Sequence, residues 1–230
     1  PSLQTGIEEA FGPNVAPRAG KRMMALSSGH ARTPNQPGAC GTQTCTENVG
    51  VAPPNGFPQD VPNCPGLSNI NDDVALELSL RAPSNANGYA FDFFFVSFEY
   101  PEWVCTSYND QFIALVSPPP AQSQNGNISF DSMSNPVSVN IAFFDVCQGC
   151  PLGASQLVGT GFDLWGDAGG TGAVDHDPRL GQRPAGQVQR VDDPGGRDDR
   201  GAVLVVVEHR DAHQLAQALL DDEALRRLDV

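Results

Sequence analysis

Between Asn71 and Phe143 apolar and polar residues alternate in short runs, each closed by a turn former. Val74, Leu76, Leu78 and Leu80 alternate with Ala75, Glu77, Ser79 and Arg81, the period-two pattern of a half-buried strand. Residues 83–88 (PSNANG) carry turn chemistry. The densest apolar run follows: Tyr89, Phe91, Phe93 and Phe95 point one way, and Phe94, Val96 and Phe98 the other. Apolar residues on both faces predict a central strand covered on each side. The run breaks at Glu99-Tyr100-Pro101-Glu102 into a loop. Residues 111–117 (QFIALVS) predict a further strand, stopped by Pro118, Pro119 and Pro120. Asn125-Gly126 marks a turn before Ile128-Ser129-Phe130, and Asn135-Pro136 another. Val137, Val139, Ile141 and Phe143 then line one face. Residues 21–26 (KRMMAL) read as a short strand upstream. Short strands joined by Gly, Pro and Asn turns predict an all-β fold, an antiparallel β-sandwich of jelly-roll-like form.

The rest of the chain has weaker periodicity. Residues 1–20 read as an N-terminal extension. Residues 27–67 read as a long loop, because Pro34, Pro37, Pro53, Pro54, Pro58, Pro62 and Pro65 each remove a backbone donor. The β domain is expected over residues 21–172. From Gly166 onward there is no Ser, Asn, Lys or aromatic residue. Residues 202–207 fit a strand. Residues 209–228 fit a helix, with Leu215, Leu219, Leu225 and Leu228 roughly on one side. Without aromatics the tail, residues 173–230, is expected to be largely disordered or loosely packed.

Charge narrows the partners. A net charge of −14 and a pI near 4.4 argue against nucleic acid, which needs a basic face. No apolar run approaches the roughly 18 residues of a membrane span. The chain opens at Pro1 without a basic-then-apolar leader, so an export signal is expected upstream of it.

All six cysteines, Cys40, Cys45, Cys64, Cys105, Cys147 and Cys150, fall in a Pro/Gly/Asn-rich region. An even count there favours disulfides in an oxidising compartment. The competing reading is zinc at Cys147-Gln148-Gly149-Cys150. A zinc ribbon wants a second such pair, however; Cys40/Cys45 is spaced more widely, and no histidine lies near any of the six. Six cysteines allow many connectivities, and spacing does not choose among them. The simplest assignment is local pairs Cys40–Cys45 and Cys147–Cys150, leaving Cys64 with Cys105.

Two constellations carry possible chemistry. Asp72, Asp73, Glu99, Glu102, Asn109 and Asp110 supply hard oxygens at strand ends, which calcium binds, though without the spacing of a dedicated calcium loop. The alternative is that they form turns and strand-end caps. Tyr100, Trp103 and Tyr108 are candidates for stacking on a sugar ring; the alternative is that Trp103 covers the end of the sandwich. Glu99 and Glu102 also admit a glycosidase acid/base reading, with nothing in the sequence to fix their separation. His209 and His213 have helical metal-ligand spacing but lack the Glu of HExxH, and no nucleophile elbow or phosphate loop occurs. No catalytic residue is expected, and no cofactor other than calcium.

The stretch NDDVALELSLRAPSNANGYAFDFFFVSFEYPEWVCTSYNDQFIAL, followed by GNISFDSMSNPVSVN, FFDVC and CPLGASQLVGTGF, resembles the bacterial choice-of-anchor L domain in its myxobacterial form. The upstream LSSGHARTPNQPG resembles the lead-in of such proteins. The resemblance covers roughly residues 22–172, and its motif falls on Glu99, Tyr100, Glu102, Cys105, Asn109 and Asp110. It implies a secreted or surface-displayed β-rich domain with no known enzymatic activity, a component of the cell surface or extracellular matrix. A calcium- or carbohydrate-dependent adhesion module is the alternative, and a hydrolase comes third. After Gly172 the chain departs from the family pattern. With G and C at the open codon positions, Val174-Asp175-His176-Asp177 read one base out of frame gives Trp-Thr-Thr-Thr, the continuation that the resemblance implies. Two accounts therefore stand, a shifted frame near Gly172 or a natural divergent tail.

Overall fold

The computed structural model of the chain describes residues 3–17, 20–40, 45, 55–66, 70–80, 93–106, 109–121, 123–130, 133–140, 144, 146–164, 169–170, 202–210 and 216–221. Among them are nine strands: β1 (Thr5–Glu8), β2 (Met23–Ser27), β3 (Asn71–Leu80), β4 (Phe93–Ser97), β5 (Gln111–Ser117), β6 (Val137–Ser138), β7 (Gly169–Gly170), β8 (Ala202–Arg210) and β9 (Ala216–Asp221). All named pairings are antiparallel. They build two sheets, ordered β1-β2-β9-β4-β7 and β3-β8-β5-β6. A single turn of 3-10 helix, Phe162–Leu164, is the one helical element among the described residues.

The double-faced run around Phe95 becomes β4, buried at every position. Phe93 and Phe95 join one core with Met24 and Leu26 of β2, Val74 of β3, Phe112, Ala114 and Val116 of β5, and Val137 and Val139. This core draws on both sheets. The Phe93 and Phe112 rings stack across it at 4.0 Å and 12°. Phe94, Val96 and Phe98 enter a second core with Phe11, Met23, Ala25, Leu157 and Phe162. Alternate residues of β2 and β4 thus feed opposite cores, which is what period-two geometry requires of a strand covered on both faces. Burying each aromatic stabilises the fold by about 1.5–3 kcal/mol. Tyr89, Phe91, Ile141 and Phe143 lie outside the described residues.

Two expected strands are shorter than their alternation. Val137–Ser138 pairs with Gln111 and Phe112, and the pattern runs on for only one more backbone bond. Val139 N–H bonds the Asp110 carbonyl at 3.0 Å, and Asn140 N–H bonds the Asn109 side-chain Oδ1 at 2.9 Å. A side chain has replaced the backbone acceptor, and the ladder stops. Around Ile128 only isolated bridges form, Leu115 with Asn127 and Phe130 with Pro136 among them.

The proline-rich loop is held by side-chain bonds instead of a ladder. Gln59 N–H bonds Gln111 Oε1 at 3.1 Å, Gln59 Nε2 donates to the Gln124 carbonyl at 3.0 Å, and Asn127 Nδ2 donates to Gln59 Oε1 at 2.9 Å. Phe57 packs beside Ile113 in a small third core.

The ends of the chain depart from the sequence reading. Residues 1–20 do not stand apart: β1 pairs with β2, and Phe11 and Val15 lie in the second core. The strand expected at residues 202–207 is present as β8. The helix expected over residues 209–228 is not formed where it is described, because β8 runs to Arg210 and residues 216–221 are β9. The described parts of the tail join the two sheets. β8 pairs with both β3 and β5, and β9 with both β2 and β4. Helical propensity is a weak prior, and a vacant ladder on each side of residues 216–221 outweighs it. His209 therefore stands on a strand, so its i,i+4 spacing to His213 has no helical meaning.

Candidate functional site

The family-like motif sits where β4 ends. Ser97 closes the strand, and its hydroxyl donates to Asp110 Oδ2 at 3.1 Å while accepting the Glu99 N–H at 3.0 Å. One serine thus ties both ends of the Glu99–Asp110 loop together. Within the loop Trp103 N–H bonds the Glu99 carbonyl at 3.1 Å, and Thr106 bonds the Trp103 carbonyl through N–H at 3.1 Å and Oγ1 at 2.8 Å.

Asn140 pins the loop from outside. Its Oδ1 accepts the Cys105 N–H at 2.8 Å, and its Nδ2 donates to the Thr106 carbonyl at 3.1 Å. Its own N–H bonds Asn109 Oδ1. Cys105 adopts a left-handed φ of 60°, a region that L side chains enter rarely. The Cys64–Cys105 disulfide adds a covalent tie from the proline-rich loop.

Glu99, Asn109 and Asp110 are buried to 1%, 1% and 0% exposure, which decides against a solvated turn. Glu102 is exposed, and Tyr100 and Trp103 are half-buried. Tyr100 packs on Phe144 with ring centroids 4.8 Å apart. Tyr108 lies outside the described residues. Asp72 and Asp73 are buried at the start of β3, where a bulge shifts the register between Asn71 and Val74. Such a bulge re-aims side chains.

The geometry separates the expected roles. Glu99 is enclosed while Glu102 faces solvent, so the two do not present a matched pair to one substrate. Among the described residues no three of the expected calcium carboxylates have ligand atoms within 4.8 Å of one another. The hydrogen bonds of Ser97, Asn109 and Asn140 make the motif a clamp between β4, β5 and β6.

The structure closes three disulfides, Cys40–Cys45, Cys64–Cys105 and Cys147–Cys150, and no described cysteine is free. It also brings together a trio that sequence reasoning missed. One imidazole nitrogen of His30 and the sulfurs of Cys40 and Cys45 lie within 4.8 Å of one another. The expectation that no histidine lies near the cysteines is thereby corrected. The Cys-x4-Cys spacing was the available signal, since zinc sites use two to about four intervening residues.

A further buried acid, Glu8, closes β1. Glu8 accepts a 2.6 Å hydrogen bond from Gln36 Nε2, and burial pushes its carboxyl above the usual range against the opposing pull of Gln36 and Arg32. Arg32 Nη1 donates to the carbonyls of Thr5 and Ala31 at 2.7 and 2.6 Å, fastening this turn to β1.

Among the described residues no helix is long and apolar enough to cross a membrane. No protein-family model matches the chain, and no curated protein or solved structure is significantly similar to it.

Proposed function

We propose that this chain is a non-catalytic bacterial module of the choice-of-anchor L type, a disulfide-held β-sandwich that works at the cell surface or in the extracellular matrix. The observation that carries this is the pairing of all six cysteines. Disulfides persist in oxidising compartments and are rare where thiols are kept reduced. The core shared by both sheets supports the sandwich reading, with its stacked Phe93 and Phe112. The acidic motif serves as the clamp that fixes the loop between β4 and β5. Non-reducing mass spectrometry of protein recovered from its own host tests the export reading. Three disulfides in the extracellular fraction are expected; six free thiols in a cytosolic fraction would refute it.

One observation favours a second reading, an adhesion module using calcium or carbohydrate. The pinned loop carries partly exposed Trp103 beside exposed Glu102, a rigid platform for a ring to stack on. Saturating calcium at a hundredfold excess over its dissociation constant would add about 2.7 kcal/mol to stability. An unchanged melting temperature with calcium, and unquenched tryptophan emission with a panel of polysaccharides, would remove this reading.

A further inference from the structure

We propose that His30, Cys40 and Cys45 form a zinc site that opens when the Cys40–Cys45 disulfide is reduced. The ligand atoms already lie within 4.8 Å of one another. In the oxidised chain the two sulfurs are bonded to each other. A tetrahedron built on bonds of about 2.0–2.3 Å has edges of about 3.3–3.8 Å, so reduction must let the sulfurs part while the imidazole closes toward them. Two thiolates and an imidazole are the donors that zinc takes, and three protein ligands leave its fourth position for water or substrate.

The imidazole is set for this task. His30 Nδ1 lies 2.6 Å from the Gly38 carbonyl. A carbonyl only accepts, so Nδ1 is the donor there, and Nε2 is the nitrogen that would take the metal. Such a backbone bond orients metal-ligating histidines. The carbonyl itself is held in place. Gly38 has φ +85°, and a Cβ there would meet Leu3 Cδ2 at 2.8 Å. Ala39 N–H bonds the Gln36 carbonyl at 3.1 Å, and Ala31 N–H bonds the Leu3 carbonyl at 2.8 Å. Histidine and first cysteine therefore stand on one braced turn, and both cysteines pack partly buried against the second core.

Disulfide and metal are exclusive uses of the same sulfurs. A small-molecule dithiol gives two electrons and two protons to the disulfide, yielding two thiols and its own disulfide. Zinc then displaces the two thiol protons and binds the thiolates with His30. A disulfide oxidant reverses this: the thiolates lose two electrons, the sulfur–sulfur bond reforms, zinc leaves, and the oxidant takes up two protons as a dithiol. The newly made, reduced chain thus carries metal that oxidation releases.

The test uses the full chain reduced under nitrogen with a phosphine, with cobalt(II) as probe and zinc as competitor. The reduced chain is expected to take up cobalt with thiolate charge-transfer and tetrahedral bands, and zinc to displace it. The oxidised chain is expected to stay silent. C40S/C45S should abolish these bands and C147S/C150S should leave them. H30A should weaken cobalt binding roughly 10–100-fold, at least the loss known for residues that only orient a ligand. Because reduction opens all three disulfides, alkylation mapping supplies a second readout that does not depend on the fold. One equivalent of zinc is expected to protect Cys40 and Cys45 while the other four cysteines react. Protection of Cys147 and Cys150 instead, equal binding by H30A, or equal binding by the oxidised chain would overturn the proposal.

Discussion

β4 and β9 are neighbours in one sheet, yet they are built from opposite materials. β4 is Phe-Phe-Phe-Val-Ser, buried at every position, and it leads into a loop clamped by Ser97, Asn140 and the Cys64–Cys105 disulfide. β9 is Ala-Gln-Ala-Leu-Leu-Asp, with no aromatic residue and no cysteine beyond Gly166 to secure it. Both are inner strands, and so is β8 in the second sheet. Residues up to 170 thus supply the rings and crosslinks, while the tail supplies the ladders that join them. A strand can hold a central place in a sheet without aromatic residues when its neighbours carry them.

The strongest way to break this comparison is to end the chain after Gly172. That removes the partner between β2 and β4 and the partner between β3 and β5. Four strands then expose unpaired donors and acceptors, and aggregation follows. The truncated chain is expected to lose its cooperative unfolding transition. If it melts as sharply as the full chain, the tail is an appendage and the shifted-frame account of it gains. Limited proteolysis of the intact protein bears on the same point. Cleavage within residues 202–210 or 216–221 should be as slow as within Phe93–Val116.

The next effect is confined to the core. Phe93→Ala is expected to cost roughly 3–5 kcal/mol, because the ring stacks on Phe112 at the junction of the two sheets and leaves a cavity that β-strands cannot collapse around. Urea midpoints measure it. A loss under about 1 kcal/mol would mean that the two sheets do not share this core.

Crosslinks come third, and they should not be equal. In the chain-entropy estimate the Cys64–Cys105 bond, spanning 41 residues, contributes about 4 kcal/mol, and the local bonds spanning 5 and 3 residues about 2 each. C64A/C105A should therefore destabilise the fold more than C40A/C45A. The opposite ranking would place the anchor of the structure at the N-terminal turn instead of the Glu99–Asp110 loop.

What could be read in the sequence was local. The alternation of Phe93 to Phe98 set two faces before any partner was known, and Gln111–Ser117 carried both its apolar run and its proline stop. The cysteine count pointed to disulfides. What could not be read was pairing at a distance. Residues 202–207 announce a strand through Val, but nothing in them names β3 and β5 as neighbours. Ala216–Asp221 has good helix formers, and only the two waiting ladders make it a strand. The site divides in the same way. Asp110 and Glu99 were legible as acids at strand ends. Their burial depends on Ser97, which bonds both ends of the loop, and on Asn140, whose role is fixed by three hydrogen bonds to a loop far upstream. His30 beside Cys40 is likewise a product of the turn at Gly38.

The smallest predicted effect tests the N-terminal side of the comparison, where β1 edges the first sheet. Glu8 is buried beside Gln36, and desolvation raises its carboxyl above the ordinary value of 4.5. The folded chain therefore holds a proton that the unfolded chain has already released. The stability this contributes is complete below about pH 4.5 and declines as pH rises through the higher, folded-state value, because there the native state binds more protons than the unfolded state. Above that value the decline is over and the charged form carries its full desolvation cost. Glu8→Gln removes the titration and keeps an oxygen that can accept from Gln36. Relative to the parent, the variant should gain stability between about pH 4 and about pH 7, with little difference at the acid end. The attraction of Arg32 for the carboxylate works against this gain and keeps it small. Urea midpoints of both proteins across that range decide it. A variant that instead loses ground as pH rises would mean that Arg32 and Gln36 outweigh burial, and that β1 is held by charge.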